Sequence, residues 1–414
     1  MYQVANPREL VGPAGRLRRL RVTRNVVLLG LTSFFTDVSS EMVAAILPLY
    51  LVYSLGFTPL QFGVVDGLQQ GAATLVRVGG GFLGDRTRRH KEVAALGYGL
   101  SAVSRLGLLV TQSLSALGAI VFLDRTGKGI RTAPRDALIS LSSERENLAT
   151  AFGVHRSLDT AGAMLGPLLA FSLLTLAPGE FDPIFVVSFC AALIGFAVLA
   201  LFVENRPVPA PEHSSVSLAA AARLLETRRF AMLVGIAGAL GVVTISDGFL
   251  FVALQRHLDF QARLIPLLFV GTALVYMLLA IPVGRIADRY GRGRTFVAGY
   301  VPLLAAYGLL LAPAGPPAEI LLALALLGLY YASTDGVLMA LASATLPPAL
   351  RGSGLALLVT STSLGRLTAS ILFGMIWTWF GVETAIAVFA AGLVTAMVLA
   401  GTALRLAPEV RTAE

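Results

Sequence analysis

The chain is a succession of apolar runs, each about twenty residues long and set off from the next by Gly, Pro or charge. A run of that length is what an α-helix needs to cross the hydrocarbon core of a bilayer. Lipid offers no partner for backbone N–H and C=O groups, so a spanning segment of this kind satisfies them internally, as a helix. The runs fall near 26–54, 59–84, 93–112, 115–137, 147–174 and 184–203, then near 230–255, 262–285, 295–313, 317–345, 352–379 and 382–404. The expectation is an all-α membrane protein with twelve transmembrane helices in two pseudo-symmetric six-helix bundles, residues 26–203 and 230–404. An N-terminal segment (1–25), a linker rich in Pro, Ala and Arg (204–229) and a short tail (405–414) complete the chain.

Composition supports lipid as the solvent. Of 414 residues, 56% are hydrophobic and 14% charged, where a soluble chain carries about 25% charged. The net charge of +8 does not mark a nucleic-acid binder, because the basic residues sit in short clusters between apolar runs. The lone cysteine, Cys190, allows neither an intramolecular disulfide nor a thiolate cluster. There is no H-E-x-x-H, no nucleophile elbow and no Walker-type loop. An enzyme and an ATP-driven pump are therefore not expected, and no cofactor is implied.

Arginine and lysine set the orientation. Arg16, Arg18, Arg19, Arg21 and Arg24 precede the first run, Arg86, Arg88, Arg89 and Lys91 follow the second, and Arg289, Arg292 and Arg294 follow the eighth. Arg351, Arg405 and Arg411 add to the same side. The alternate loops carry no Arg or Lys, except for Arg256 and Arg263. Both termini are expected in the cytoplasm of a bacterial inner membrane.

The halves share a motif. Gly81-x-x-x-Asp85-Arg86 closes the second run, and Gly284-x-x-x-Asp288-Arg289-x-Gly291-Arg292 closes the eighth. Parallel repeats of this kind place a transporter's substrate site near mid-membrane. The Asp near each helix end, facing arginines, reads as a gating latch.

With these loops, the chain resembles the major facilitator superfamily over nearly its whole length. Its loop pattern G-x-x-x-D-R-x-G-R-R/K is kept in the second half, while Arg88 replaces the glycine in the first. The fourth run, Asp124-Arg125-Thr-Gly127-Lys128-Gly129-Ile-Arg131-Thr-Ala-Pro134-Arg135-Asp136, is similar to the family's R-x-x-Q-G-x-G-x-A, with Lys128 at the glutamine and Arg131 at the second glycine. The fifth run, Gly153-x8-Gly162-x3-Gly166-Pro167, is similar to the antiporter signature of drug/proton exporters, with Ala170-Phe171 where its last glycines stand. Phe34-Phe-Thr-Asp37-Val-Ser-Ser-Glu41 and Gly153-Val-His155-Arg156-Ser-Leu-Asp159 look like a bacterial subfamily of efflux permeases. That resemblance implies export, of organic molecules in some members and of nickel or cobalt in others.

Charges inside the runs are candidates for function, since each costs at least ~2.5 kcal/mol at the centre of a bilayer. Asp37 and Glu41 lie one helical turn apart and repel, which suits reversible proton uptake, although Arg77, Arg105 or Arg125 could pair with them. Arg125, Lys128 and Arg131 share a helix face and call for acids or an anionic substrate group. Asp66 and Arg77 lie on roughly one face of the second run, and Asp159 neighbours His155 and Arg156. The second half offers Asp247, Asp335, Arg366 and the pair Tyr330-Tyr331, whose rings could stack on a substrate or form an interfacial belt. The expected substrate and coupling cavity comprises Asp37, Glu41, Asp66, Arg77, Arg125, Lys128, Arg131, Asp159, Asp247, Tyr331 and Asp335, with coupling concentrated in the first half.

The function expected is proton-coupled export of small organic molecules by alternating access. A divalent metal exporter and a carrier of a small organic anion are the alternatives. The metal reading has only His90, His155, His213 and His257 to draw on, so no metal ligands are assigned. The partners are a small-molecule or ion substrate, protons and the lipid bilayer. No nucleic acid is expected, and the chain is expected to act as a monomer.

Overall fold

The structure, a computed structural model, describes residues 22–87, 89–144, 147–205, 223–347 and 350–406. The side chains of Arg77 to Thr87, which include Gly81, Asp85 and Arg86, lie outside that description, as does Arg88. The described residues are mainly helical, with no strand among them. The helices are α1 (Arg24–Leu49), α2 (Pro59–Thr87), α3 (His90–Val110), α4 (Leu114–Leu141), α5 (Leu148–Leu176), α6 (Asp182–Ala197), α7 (Arg228–Val242), α8 (Asp247–Leu258), α9 (Ile265–Tyr290), α10 (Arg292–Ala298), α11 (Tyr300–Leu311), α12 (Glu319–Thr345), α13 (Arg351–Phe380) and α14 (Val382–Leu406). Among the described residues, ten helical stretches are long and apolar enough to span a membrane, counting α7 with α8 and α10 with α11 as one each. The long helices outside that set are α2 and α4, which carry the most charge. This is an all-α fold of membrane-spanning length and hydropathy.

The chain forms two compact units, residues 1–50 with 72–211 and residues 51–71 with 212–414. The first half of α2 thus belongs to the second unit, although its sequence neighbours belong to the first. In the first unit, α1 packs along α5 and α6, and α3 along α4 and α6. Tyr98, Leu29, Leu138, Ile139 and Leu199 form its apolar core. Asn25 on α1 ties three helix ends together. Its Nδ2 donates to Ser142 Oγ at 2.6 Å and to the Glu204 carbonyl at 3.2 Å, and its Oδ1 accepts from Glu204 N–H at 2.9 Å.

In the second unit, α9 packs on α12 and α7 on α13. Phe62 and Phe373 stack edge-on against Phe249, at 4.5 and 4.9 Å between ring centres. The seventh apolar run is not one helix. It is interrupted at Val243–Ser246, between α7 and α8. The run Val242-Val-Thr-Ile245 is β-branched and lowers helix propensity, and Ser246 then caps α8 by accepting from Phe249 N–H at 3.5 Å. Tyr307 holds the gap by accepting from Ile245 N–H at 2.8 Å and donating to the Val243 carbonyl at 3.2 Å.

The repeated G-x-x-x-D-R segments, expected as loops, are the last turns of helices α2 and α9. In α9 the turn ends at Gly291, whose φ of +103° lies outside the range favoured by other residues.

Candidate functional site

In the first unit, charge collects where α1, α3, α4 and α5 meet. Asp124 on α4 is a hub: Arg105 Nη2 on α3 and Arg125 Nη2 each reach its carboxylate at 2.9 Å. Arg105 also donates to Ser40 Oγ on α1 at 3.2 Å. Arg105 and Arg125, two of the expected partners for Asp37 and Glu41, are thus engaged by Asp124. Asp124 was legible only as part of the α4 motif, because its role depends on α3 packing against α4.

One turn of α4 away from Arg125, Lys128 faces the carboxylates of Glu41 and Asp37 electrostatically. Arg131 lies over the Tyr98 ring at 4.5 Å, a cation–π contact. Its Nη1 is buried without a hydrogen-bond partner among the described residues, and so are Nε of Arg105 and Nε of Arg125.

The carboxyl groups of Asp37 on α1 and Asp159 on α5 face each other closely enough to interact directly. Two carboxyls in contact hold together only with a proton between them. Asp159 also meets Arg156 Nη1 at 3.0 Å and Arg135 Nη1 at 3.9 Å. Arg135 pairs with Asp136 at 2.9 Å and donates to Ser33 Oγ at 3.3 Å. Ser33 in turn bonds His155 Nε2 at 2.9 Å. Arg135 was legible only as part of the α4 motif and Ser33 had no distinguishing sequence signal; their place follows from how α1, α4 and α5 assemble.

The α5 glycines explain how that assembly forms. A Cβ on Gly162 would collide with the Phe34 carbonyl of α1, and one on Gly166 would stand 2.7 Å from the Val38 carbonyl and 2.8 Å from Met42 N. The two glycines and Pro167 are buried against the stretch of α1 that carries Asp37 and Glu41. Gly153, by contrast, meets nothing within 4 Å.

In the second unit, Tyr331 OH donates to Asp247 Oδ1 at 2.8 Å. Arg366 on α13 lies 3.9 Å from Asp335, within 3.5 Å of Tyr330 OH and 6.0 Å from the Tyr331 ring centre. The two tyrosines are members of an internal polar network. Asp66 on α2 is buried beside Ser370 of α13; the side chain of Arg77, its expected neighbour on the helix face, lies outside the described residues. At the end of α9, Asp288 pairs with Arg292 at 2.8 Å, four residues on, and Arg292 Nη1 reaches the Ala340 carbonyl of α12 at 3.4 Å. Arg289 lies over the Tyr290 ring at 5.5 Å, and a Cβ on Gly284 would meet nothing within 4 Å.

Residues 29–262 and 232–414 each match the sequence profile of the Major Facilitator Superfamily. The chain belongs to this superfamily. Its members are membrane transporters and not enzymes. An uncharacterized MFS-type transporter of Methanocaldococcus jannaschii is 33% identical over 366 residues, 86% of this chain and 89% of the relative. An uncharacterized protein of Mycobacterium tuberculosis is 34% identical over 194 residues, 47% of this chain and 46% of that protein. Among solved structures, an auto-inhibited POT family peptide transporter superposes with a TM-score of 0.81 at 15% identity, covering 95% of this chain and 99% of that one. A nucleoside transporter, NupG, superposes with a TM-score of 0.74 at 16% identity, over 92% and 99%. At such identities the superpositions establish the fold alone.

Proposed function

We propose that this superfamily transporter exports small organic molecules in exchange for protons, with Asp37 as the proton carrier. The observation that supports this most is the contact between Asp37 and Asp159. Asp159 faces two guanidinium groups, while Asp37 makes no ion pair among the described residues. The proton of the pair therefore sits on Asp37. When it leaves, Lys128 and Arg131 are the cations that face the new charge, and Glu41 competes for Lys128. A proton and a cationic or polar substrate group can thus take turns at one place, as exchange requires.

The fit of Gly162 and Gly166 to α1 supports the same reading, since it couples any shift of α5 to the helix bearing Asp37. Arginine placement favours cytoplasmic termini in a bacterial inner membrane. The chain acts as a monomer in this account, and the Asp288–Arg292 turn serves as part of a gate.

A second reading has its own support. The three buried guanidinium N–H groups on Arg105, Arg125 and Arg131 that lack a partner among the described residues are suited to an anionic substrate group, which would make the chain an organic-anion carrier. The metal reading gains nothing comparable: among the described residues no group of three His, Cys, Asp or Glu is placed to hold a metal ion.

A resistance screen in cells stripped of their own efflux pumps tests the choice, using a dye and drug panel, nickel and cobalt salts, and aromatic carboxylates. Resistance to organic cations or neutral compounds supports export as proposed. Resistance confined to nickel and cobalt overturns it, and a response confined to the carboxylates selects the second reading.

A further inference from the structure

Along the first half of α2 runs a row of glycines, Gly63, Gly67 and Gly71, at a spacing that places them on one helix face. Small residues in such a row let a second backbone come close. Helix α13 occupies it. A Cβ on Gly63 would collide with the Ser370 carbonyl, one on Gly67 would stand 2.9 Å from the Leu367 carbonyl oxygen, and one on Gly71 would stand 2.6 Å from Leu367 Cδ1. α13 answers with Gly374, where a Cβ would strike the Pro59 carbonyl.

Asp66 sits inside this seam, 7% exposed. Its Oδ2 accepts from Ser370 Oγ on α13, and the side chains of Ser246 and Gln70 are the other polar groups beside its carboxyl. All three partners are neutral. The charged groups on the elements packed around it are turned elsewhere. On α13, Arg366 is held by Asp335 at 3.9 Å and Tyr330 at 3.5 Å, and Arg351 donates to the Leu346 carbonyl at 3.4 Å. On α8, Arg256 lies over the Trp377 ring at 5.2 Å, and His257 stands 3.9 Å from Glu319. The remaining charge on α8 is Asp247, a carboxylate that Asp66 repels. Between residues 59 and 76 of α2, Asp66 is the only charged residue.

An ionised carboxylate so placed, buried, without a cation among the described residues and beside another acid, is disfavoured far beyond what neutral hydrogen bonds can offset. Ser246 and Gln70 can each accept as well as donate, so the O–H of a protonated carboxyl has an acceptor at hand. We propose that Asp66, with Ser246, Ser370 and Gln70, is a proton-binding site separate from the Asp37–Asp159 pair, and that its occupancy keeps α2 seated on α13. Loss of the proton leaves a charge that must be hydrated. The glycine seam is too close to admit water, so ionisation parts the two helices. Proton binding at Asp66 and closure of the seam are then one event.

The test measures distance against pH in the full chain, in lipid nanodiscs, on a Cys190→Ser background. Spin labels on Ser54→Cys, in the segment leading into α2, and on Trp379→Cys, near the end of α13, both exposed positions, report the separation at the Pro59–Gly374 end of the seam. The separation is expected to lengthen as pH rises, alike in the otherwise unsubstituted chain and in Asp37→Asn. In Asp66→Asn, whose amide is always neutral, it is expected to stay short at every pH. A distance that ignores pH, one that follows sodium at constant pH, a pH response that survives Asp66→Asn, or one lost in Asp37→Asn would each overturn the proposal. The titration with Asp66 in place needs no substitution at the site, so a poorly folding Asn variant leaves the test standing.

Discussion

Arg105 on α3 and Arg125 on α4 converge on a single carboxylate, that of Asp124, each at 2.9 Å, with all three side chains less than one tenth exposed. Two buried cations sharing one acid is an arrangement in which the acid matters more than either base. Removing one partner of a buried pair costs about 3–5 kcal/mol, because the other charge is left uncompensated. Asp124→Asn is therefore expected to lower the thermal unfolding midpoint of the purified protein sharply, and more than Arg125→Gln. A midpoint equal to that of the unsubstituted protein would show that the hub does not anchor the bundle.

The α5 glycines give a graded prediction. Gly162→Ala and Gly166→Ala place a methyl group against the α1 backbone, and overpacking of this kind costs about 1–3 kcal/mol. Gly153→Ala fills open space inside the helix and should keep or slightly raise stability. Thermal unfolding of the three variants in one detergent checks the order. Equal losses at all three positions would mean that the spacing serves something other than the α1–α5 contact.

In the second unit, Tyr331→Phe removes the donor to Asp247 Oδ1. The loss should be about 1 kcal/mol. The double variant Tyr331→Phe with Asp247→Asn should destabilise by less than the sum of the single changes, by at least about 0.5 kcal/mol, as for groups in direct contact. Strict additivity in a double-mutant cycle would contradict the contact.

The membrane class was legible in the spacing of apolar runs, which needs no knowledge of partners. The break between α7 and α8 was not, because Val243 to Ser246 are apolar or small and pass unnoticed in any average over a span's length. Its local signal was there, in a β-branched run followed by the capping pair Ser246-Asp247. Asp37 and Glu41 were legible as costly charges, but the partner that matters for Asp37 lies on α5. Only the close fit of Gly162 and Gly166 brings Asp159 to it. Asp159 had read as a neighbour of His155 and Arg156, and the Arg156 contact does exist. Asp66 shows the same limit. Spacing along α2 could not show that helix packing surrounds it with the hydroxyls of Ser246 and Ser370.

The account rests on Asp37 as the carrier of the exchanged proton. The most direct measurement reconstitutes the protein in liposomes with a substrate taken from the resistance screen, and compares transport driven by an imposed pH gradient with substrate exchange in the absence of any gradient. Asp37→Asn is expected to keep exchange and to lose gradient-driven accumulation. Accumulation by Asp37→Asn equal to that of the unsubstituted protein would contradict it.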